Sequence, residues 1–96
     1  MLFAVIRHDK PNNLDLRLSE RPRHLVYLET VLGNIMYGGA LLDDAGKQNG
    51  SILIIDVADK AAAEAFAAAD PYVDAGLFAS TVIQQFRAVF KGGAWL

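Results

Sequence analysis

The order of apolar segments limits the folds that this chain can adopt. Four short β-prone runs are separated by two segments with helical spacing, which predicts the order β-α-β-β-α-β. Right-handed crossovers fold this order into a four-stranded antiparallel sheet with both helices on one face, a ferredoxin-like α+β sandwich. The 96 residues have room for one such domain, over residues 1–96, with residues 91–96 as a short C-terminal tail.

The first half of the chain contains one strand and one long helix. Residues 2–6 are continuously apolar, which is typical of a central strand covered on both faces. Leucines recur at helical spacing from about residue 14 to 32, and we expect one helix bent at Pro22. A later start capped by Ser19 is the alternative, since it would place Pro22 in the tolerant first turn. Gly33-Asn34 predicts a left-handed C-cap.

Turn and cap signals predict the secondary-structure elements in the second half of the chain. Asn49-Gly50 is a strong hairpin signal, Asp59 is a good N-cap, and Pro71 disfavours helical geometry at Asp70. The remaining elements are therefore predicted as a strand over residues 35–42, a turn-rich connection over 43–50, a strand over 51–57, a helix over 60–69, a connection over 72–79 and a strand over 81–89.

Composition excludes several classes of function. Nine basic and eleven acidic residues give a net charge of −2, and no basic stripe is present, so nucleic-acid binding is not expected. Without cysteine there is no disulfide and no thiolate metal site, and Asp43-Asp44 lacks a histidine at ligand spacing. The apolar N-terminal run is too short for a signal sequence or a membrane span, so we expect a cytoplasmic protein.

The predicted fold leaves one sheet face uncovered. Alternating residues of the strand over 51–57 would place isoleucine or leucine side chains on that face, and 53% of the chain is hydrophobic. Apolar surface of this extent is usually covered by a partner, so we expect a homodimer that packs sheet against sheet.

Topology predicts a site at one end of the sheet. If the first strand is taken to run upward, its end and the ends of the neighbouring elements lie together at the upper end of the sheet. This topology brings six residues to that end: His24, Asp9, Asp70, Gly39, Arg17 and Arg21. A histidine bonded to an aspartate is a common general base, because the carboxylate fixes the tautomer. Gly39 lacks a Cβ and would let a ligand approach the backbone.

Each of these residues also has a purely structural interpretation. His24 could be a helix-edge histidine bonded to a carbonyl, and Asp70 could bond only local backbone. Asp9 could be a turn residue, and the two arginines could form solvated helix surface.

Several motifs resemble one known family. They are Asp9-Lys10-Pro11-Asn12, Arg21-Pro22-Arg23-His24-Leu25, Tyr37-Gly38-Gly39-Ala40-Leu41 and Asp70-Pro71-Tyr72-Val73-Asp74-Ala75-Gly76-Leu77, which resemble motifs of the YciI-like (YCII-related) family. The resemblance covers nearly the whole chain and implies a dimeric α+β barrel of ferredoxin-like subunits with a His-Asp site. A related member is a dehydrochlorinase of a chlorinated hydroxyquinol. Ala40 departs from the family, which often has proline there.

These observations predict a small enzyme without metal or other cofactor, acting on a small anionic or phenolic molecule. The reaction would be lyase-like, as in a dehydrochlorinase, or isomerase-like. The expected catalytic residues are His24, Asp70 and Asp9, and the expected substrate-binding residues are Arg17, Arg21, Gly39 and Tyr72. The alternatives are a non-catalytic ligand-binding or sensor module on the same scaffold, and a structural partner for another chain.

Overall fold

Strand β1 (Leu2–Asp9) is the central element of the computed structural model, which describes residues 1–96. It pairs antiparallel with a strand on either side, and the sheet order is β2-β3-β1-β4. The predicted ferredoxin-like α+β fold is therefore confirmed. The other elements are α1 (Leu14–Val31), a 3₁₀ turn (Leu32–Asn34), β2 (Ile35–Leu42), β3 (Gln48–Asp56), α2 (Lys60–Ala68), α3 (Pro71–Asp74), β4 (Phe78–Gln85), β5 (Phe90–Lys91) and β6 (Ala94–Trp95).

The core lies between the sheet and α2. Alternate residues of β1 point towards the helices, and Phe3 and Val5 are buried there beside Ile55 of β3. Ala63 and Ala67 of α2 pack on them, because small side chains let the helix approach the sheet closely. Two further residues of β1 on the same face, Arg7 and Asp9, continue this row beyond the core, towards the site described below.

The opposite sheet face is open and largely apolar. Ile52, Val82 and Tyr37 alternate with the inward-facing residues of their strands and are 37%, 51% and 81% exposed. A sheet face of this composition is usually covered by another surface.

Helix α1 is continuous, but it ends differently from the prediction. It runs from residue 14 to 31 with Pro22 inside, so the alternative start at Ser19 is wrong. The predicted left-handed cap at Gly33-Asn34 is also wrong, because neither residue has a positive φ. The chain instead tightens into the 3₁₀ turn, where the Ile35 N–H donates to the Leu32 carbonyl and satisfies it without a left-handed residue.

The hairpin between β2 and β3 turns earlier than Asn49-Gly50, which lie inside β3. The turn is built by Asp43, whose carboxylate accepts the N–H groups of Ala45 and Lys47, each at 2.9 Å, and by Gly46 at φ 81°. Gly50 has a different role, because a Cβ at this position would collide with the Arg7 carbonyl of the adjacent strand.

The C-terminal third also differs from the prediction. The expected connection over 72–79 contains most of α3 and the start of β4, and β4 ends at Gln85 rather than 89. The tail forms a hairpin of β5 and β6, with φ values of 59° and 78° at Gly92 and Gly93. No helix in the structure has the length and apolar character needed to cross a lipid bilayer.

Candidate active site

A histidine and an aspartate from different helices meet at the end of the sheet where β1 ends. His24 Nδ1 lies 3.0 Å from both carboxylate oxygens of Asp70. The imidazole also stacks on the ring of Tyr72, with centroids 4.1 Å apart and planes at 14°. Because an ionised carboxylate only accepts hydrogen bonds, Nδ1 is the donor and Nε2 remains for a ligand.

Asp70 is held in place by the local sequence. Pro71 occupies the first turn of α3, so Asp70 adopts an extended conformation (φ −64°, ψ 126°) as the N-cap of that helix. Its carboxylate accepts the Tyr72 N–H at 3.0 Å. Asp70 is only 5% exposed, which favours a single side-chain position. The cap and the histidine contact are therefore made by the same carboxylate.

A buried arginine that was not among the predicted site residues lies beside Asp70. Arg7 Nη1 is 3.6 Å from Asp70 Oδ2, and Arg7 Nη2 donates to the Ala67 carbonyl at 2.6 Å. Its guanidinium lies 4.3 Å from the centroid of the Phe78 ring. Burial lowers the pKa of Arg7, and the negative charge of Asp70 partly offsets this effect. The alternation of Phe3, Val5 and Arg7 was the available signal, because period two places Arg7 on the helix face.

Asp9 pairs with Arg17 and not with His24. Arg17 donates to both carboxylate oxygens, from Nε at 2.6 Å and from Nη2 at 2.9 Å. Burial alone would lower the pKa of Arg17, but the hydrogen bond and charge of Asp9 outweigh it and raise the pKa. Asp9 was expected as a possible partner of His24. In the structure Asp9 instead binds the guanidinium of Arg17, which extends from the first turns of α1.

The charged pair of Asp9 and Arg17 is linked to the histidine through an aromatic ring. The Arg17 guanidinium carbon lies 5.0 Å from the centroid of Tyr72, the ring on which His24 stacks. Burial raises the pKa of the Tyr72 phenol, and the positive charge of Arg17 partly counteracts this rise. Tyr72 is therefore a neutral phenol at physiological pH.

These side chains border a groove of about 370 Å³ between α1 and strands β2 and β3. Its polar end contains Arg7, Arg17, Arg21, His24, Gln48, Ser51, Asp70 and Tyr72. Its apolar end contains Leu25, Leu28, Leu32, Ile35 and Leu53. Arg21 is exposed and forms no ion pair, so its charge is available to a ligand.

Two further predicted residues, Gly39 and Asp9, differ in their relation to the groove. Gly39 borders it through its backbone, and a Cβ at Gly39 would meet no atom within 4 Å. Asp9 does not border this groove but a separate polar cavity beside the loop after β1. Nowhere in the chain do three or more His, Asp or Glu side chains converge as metal ligands would.

Comparison with known proteins identifies the family of this chain. The YCII-related domain family matches residues 1–87. The chain is 35% identical to Protein YciI from Escherichia coli O6:H1, over 94% of this chain and 100% of the relative. An uncharacterised protein from Haemophilus influenzae is 32% identical over the same shares.

A solved structure is similar in both fold and sequence. It is the 5-chloro-2-hydroxyhydroquinone dehydrochlorinase TftG from Burkholderia phenoliruptrix, in complex with 2,5-dihydroxybenzoquinone. The TM-score is 0.84 at 34% identity, covering 91% of this chain and 94% of the other. Taken with the match over residues 1–87, these similarities show that the chain belongs to the YCII-related domain family.

Proposed function

We propose that this protein is a small acid/base enzyme in which His24 moves a proton on a small anionic or phenolic molecule. The observation that supports this role is the contact of His24 Nδ1 with both Asp70 oxygens at 3.0 Å. This contact orients the ring and stabilises the imidazolium that forms when Nε2 accepts a proton.

The reaction would begin with proton transfer from a substrate O–H or acidic C–H to His24 Nε2. Return of that proton to another substrate atom completes an isomerisation. If a halide leaves the substrate instead, the proton is released separately and the net reaction is loss of hydrogen halide. Asp70 stabilises the imidazolium by its charge and does not need to take the proton.

The groove favours a ligand that carries negative charge on a flat ring. Arg21 supplies a guanidinium without an ion pair at its polar end, where Arg7 and Arg17 are already paired with carboxylates, and Tyr72 supplies a ring there. The similar dehydrochlorinase TftG is named for a chlorinated hydroxyhydroquinone and was solved with a dihydroxybenzoquinone. Phenols and quinones that ionise readily are therefore the first substrate class to test on this chain.

The test compares the turnover of the wild type and of His24→Gln on a panel of chlorinated and unsubstituted hydroxyhydroquinones. Turnover is measured as chloride release and as incorporation of deuterium from the solvent. We expect the rate to fall about 10²- to 10⁴-fold, because a positioned general base contributes roughly that factor. Ligand affinity should change little. His8→Gln is the matched control, because His8 is exposed and outside the groove.

Two outcomes would contradict the proposal. Unchanged turnover in His24→Gln would remove His24 as the base. If the wild type and His24→Gln both bind a ligand tightly and the wild type converts none of the compounds, the ligand-binding or sensor role is favoured instead.

We also propose that the protein is a homodimer assembled through the open sheet face. Ile52, Val82 and Tyr37 on that face are exposed in the single chain, and two such faces packed together would remove them from water. A twofold arrangement uses the same surface on both copies and closes on itself. Sedimentation should show a dimer at micromolar concentration, and a stable monomer there would contradict the proposal.

A further inference from the structure

We propose that the C-terminal hairpin (residues 90–95) of one copy covers the apolar end of the groove of a second copy. Each His24 site would then be completed by its partner chain. The inference rests on the dimer and the site proposed above, and it adds a contact that neither of them requires.

The apolar end of the groove lacks a cover within its own chain. Leu25 and Leu32 of α1 are 45% and 56% exposed although they face strands β2 and β3 across the groove. A polar ring held by Arg21 would occupy the other end. Filling the apolar end therefore requires a second apolar group.

The hairpin carries apolar side chains that match this need. Phe90 and Trp95 pair across the hairpin with ring centroids 4.4 Å apart, yet they are 65% and 77% exposed. Gly92 and Gly93 both have positive φ, which is the geometry of a tight two-residue hairpin turn. A two-stranded hairpin is marginally stable alone in water, so one with defined geometry is expected to pack on another surface.

The hairpin does not cover the groove of its own chain, because Phe90 and Trp95 are exposed and neither borders that groove. The hairpin follows β4, and β4 lies at the opposite edge of the sheet from β2, which borders the groove. Three strand spacings of about 4.8 Å put these edges roughly 14 Å apart. The hairpin would have to cross the whole sheet to reach its own groove.

The surface area supports a second copy as the partner. A folded monomer of 10.4 kDa typically exposes about 5,400 Å². This chain exposes 6262 Å², and the difference of roughly 900 Å² is close to the approximately 800 Å² that one partner buries in a standard interface. Each copy has one groove and one hairpin, so a reciprocal exchange between two copies satisfies both surfaces with closed symmetry.

Trp95 is the only tryptophan, so its fluorescence reports on the hairpin alone. In the dimer we expect blue-shifted emission and protection from acrylamide. Leu32→Glu should red-shift the emission and raise quenching several-fold, because it places a charge in the groove. Val26→Glu is the control: Val26 is on α1, 68% exposed and outside the groove, so emission should stay as in the wild type.

Crosslinking provides a second measurement, because the chain has no cysteine of its own. Protein carrying Leu32→Cys is mixed with protein carrying Ala94→Cys and treated with a short bifunctional maleimide. We expect covalent dimers from this mixture and none when Val26→Cys replaces Leu32→Cys.

The outcomes separate this inference from the proposals on which it rests. A dimer by sedimentation in which Trp95 is fully accessible to acrylamide would overturn the hairpin contact and leave the dimer intact. A monomer would overturn both. His24→Gln should leave Trp95 protected, so failure of the acid/base role does not change this result.

Discussion

Asp70 makes three contacts with its one carboxylate. It caps α3 through the Tyr72 N–H, it accepts the His24 Nδ1–H, and it lies near the Arg7 guanidinium. The sequence left a local cap and a functional carboxylate as alternatives for Asp70. The structure shows that the cap geometry is what aims the carboxylate at the histidine.

Arg17→Met should destabilise the protein, because it leaves the Asp9 carboxylate buried without its cation. Both side chains are at most 5% exposed, and breaking such a pair costs about 3–5 kcal/mol in the free energy of unfolding. Urea denaturation measures this loss, and adding Asp9→Asn should recover part of it. Arg23→Met is the control, because its ion pair with Glu20 is exposed and should contribute less than about 1 kcal/mol. Equal losses in the two variants would contradict the prediction.

Stability should decline above about pH 10 partly because of Tyr27 and Tyr72. Burial raises the pKa of both phenols in the folded state above the ordinary value of 10.0. From that pH upward the unfolded chain loses these protons first, so the free energy of unfolding falls as pH rises through the folded pKa. Tyr27→Phe should make this decline shallower in urea denaturation series, and an unchanged slope would contradict the prediction.

At the scale of elements, periodicity predicted the fold correctly. The apolar run of β1, the leucine spacing of α1 and the Asp59 cap of α2 each indicated an element that the structure contains. Positions of turns were less predictable, because glycine serves turns and close strand contacts equally well. Gly50 was read as a turn residue, but it lies where β3 passes the Arg7 carbonyl.

The candidate site was predictable where it depends on topology. The order of elements brought His24 and Asp70 to the same end of the sheet, and the structure places them in contact. The pairing of Asp9 with Arg17 depends on side-chain reach, which the sequence pattern does not encode. Arg7 was not predicted, because the apolar run over residues 2–6 indicated a central strand but not that the charged residue after it is buried.

Two adjacent glycines in β2 should differ sharply in their tolerance of alanine. A Cβ at Gly38 would lie 2.5 Å from a Leu53 side-chain carbon and 2.7 Å from the Ile52 carbonyl oxygen, whereas a Cβ at Gly39 meets nothing. Gly38→Ala should therefore cost about 1–3 kcal/mol in the free energy of unfolding, as overpacking usually does. Gly39→Ala should change it by about 0.5 kcal/mol or less. Thermal denaturation of the two variants measures the difference, and a similar loss in both would contradict the geometry.

At the scale of the whole molecule, stability and assembly should be linked. If folded copies associate and unfolded ones do not, the apparent Tm rises with protein concentration. Calorimetry over a hundredfold range of concentration measures this slope. Val82→Lys should remove the slope by placing a charge on the open sheet face. Thr30→Lys, on the exposed side of α1, is the control and should retain it. A wild-type Tm independent of concentration would argue against the dimer.

Strand β1 carries the core at one end and the charged site at the other, all on one face. A slip of a single residue in its pairing would turn Phe3, Val5, Arg7 and Asp9 to the opposite face together. Insertions or deletions within this strand therefore cannot remodel the site while sparing the fold. Variation in the groove is instead confined to its walls on α1 and β2, where side chains can change without moving the register of the sheet.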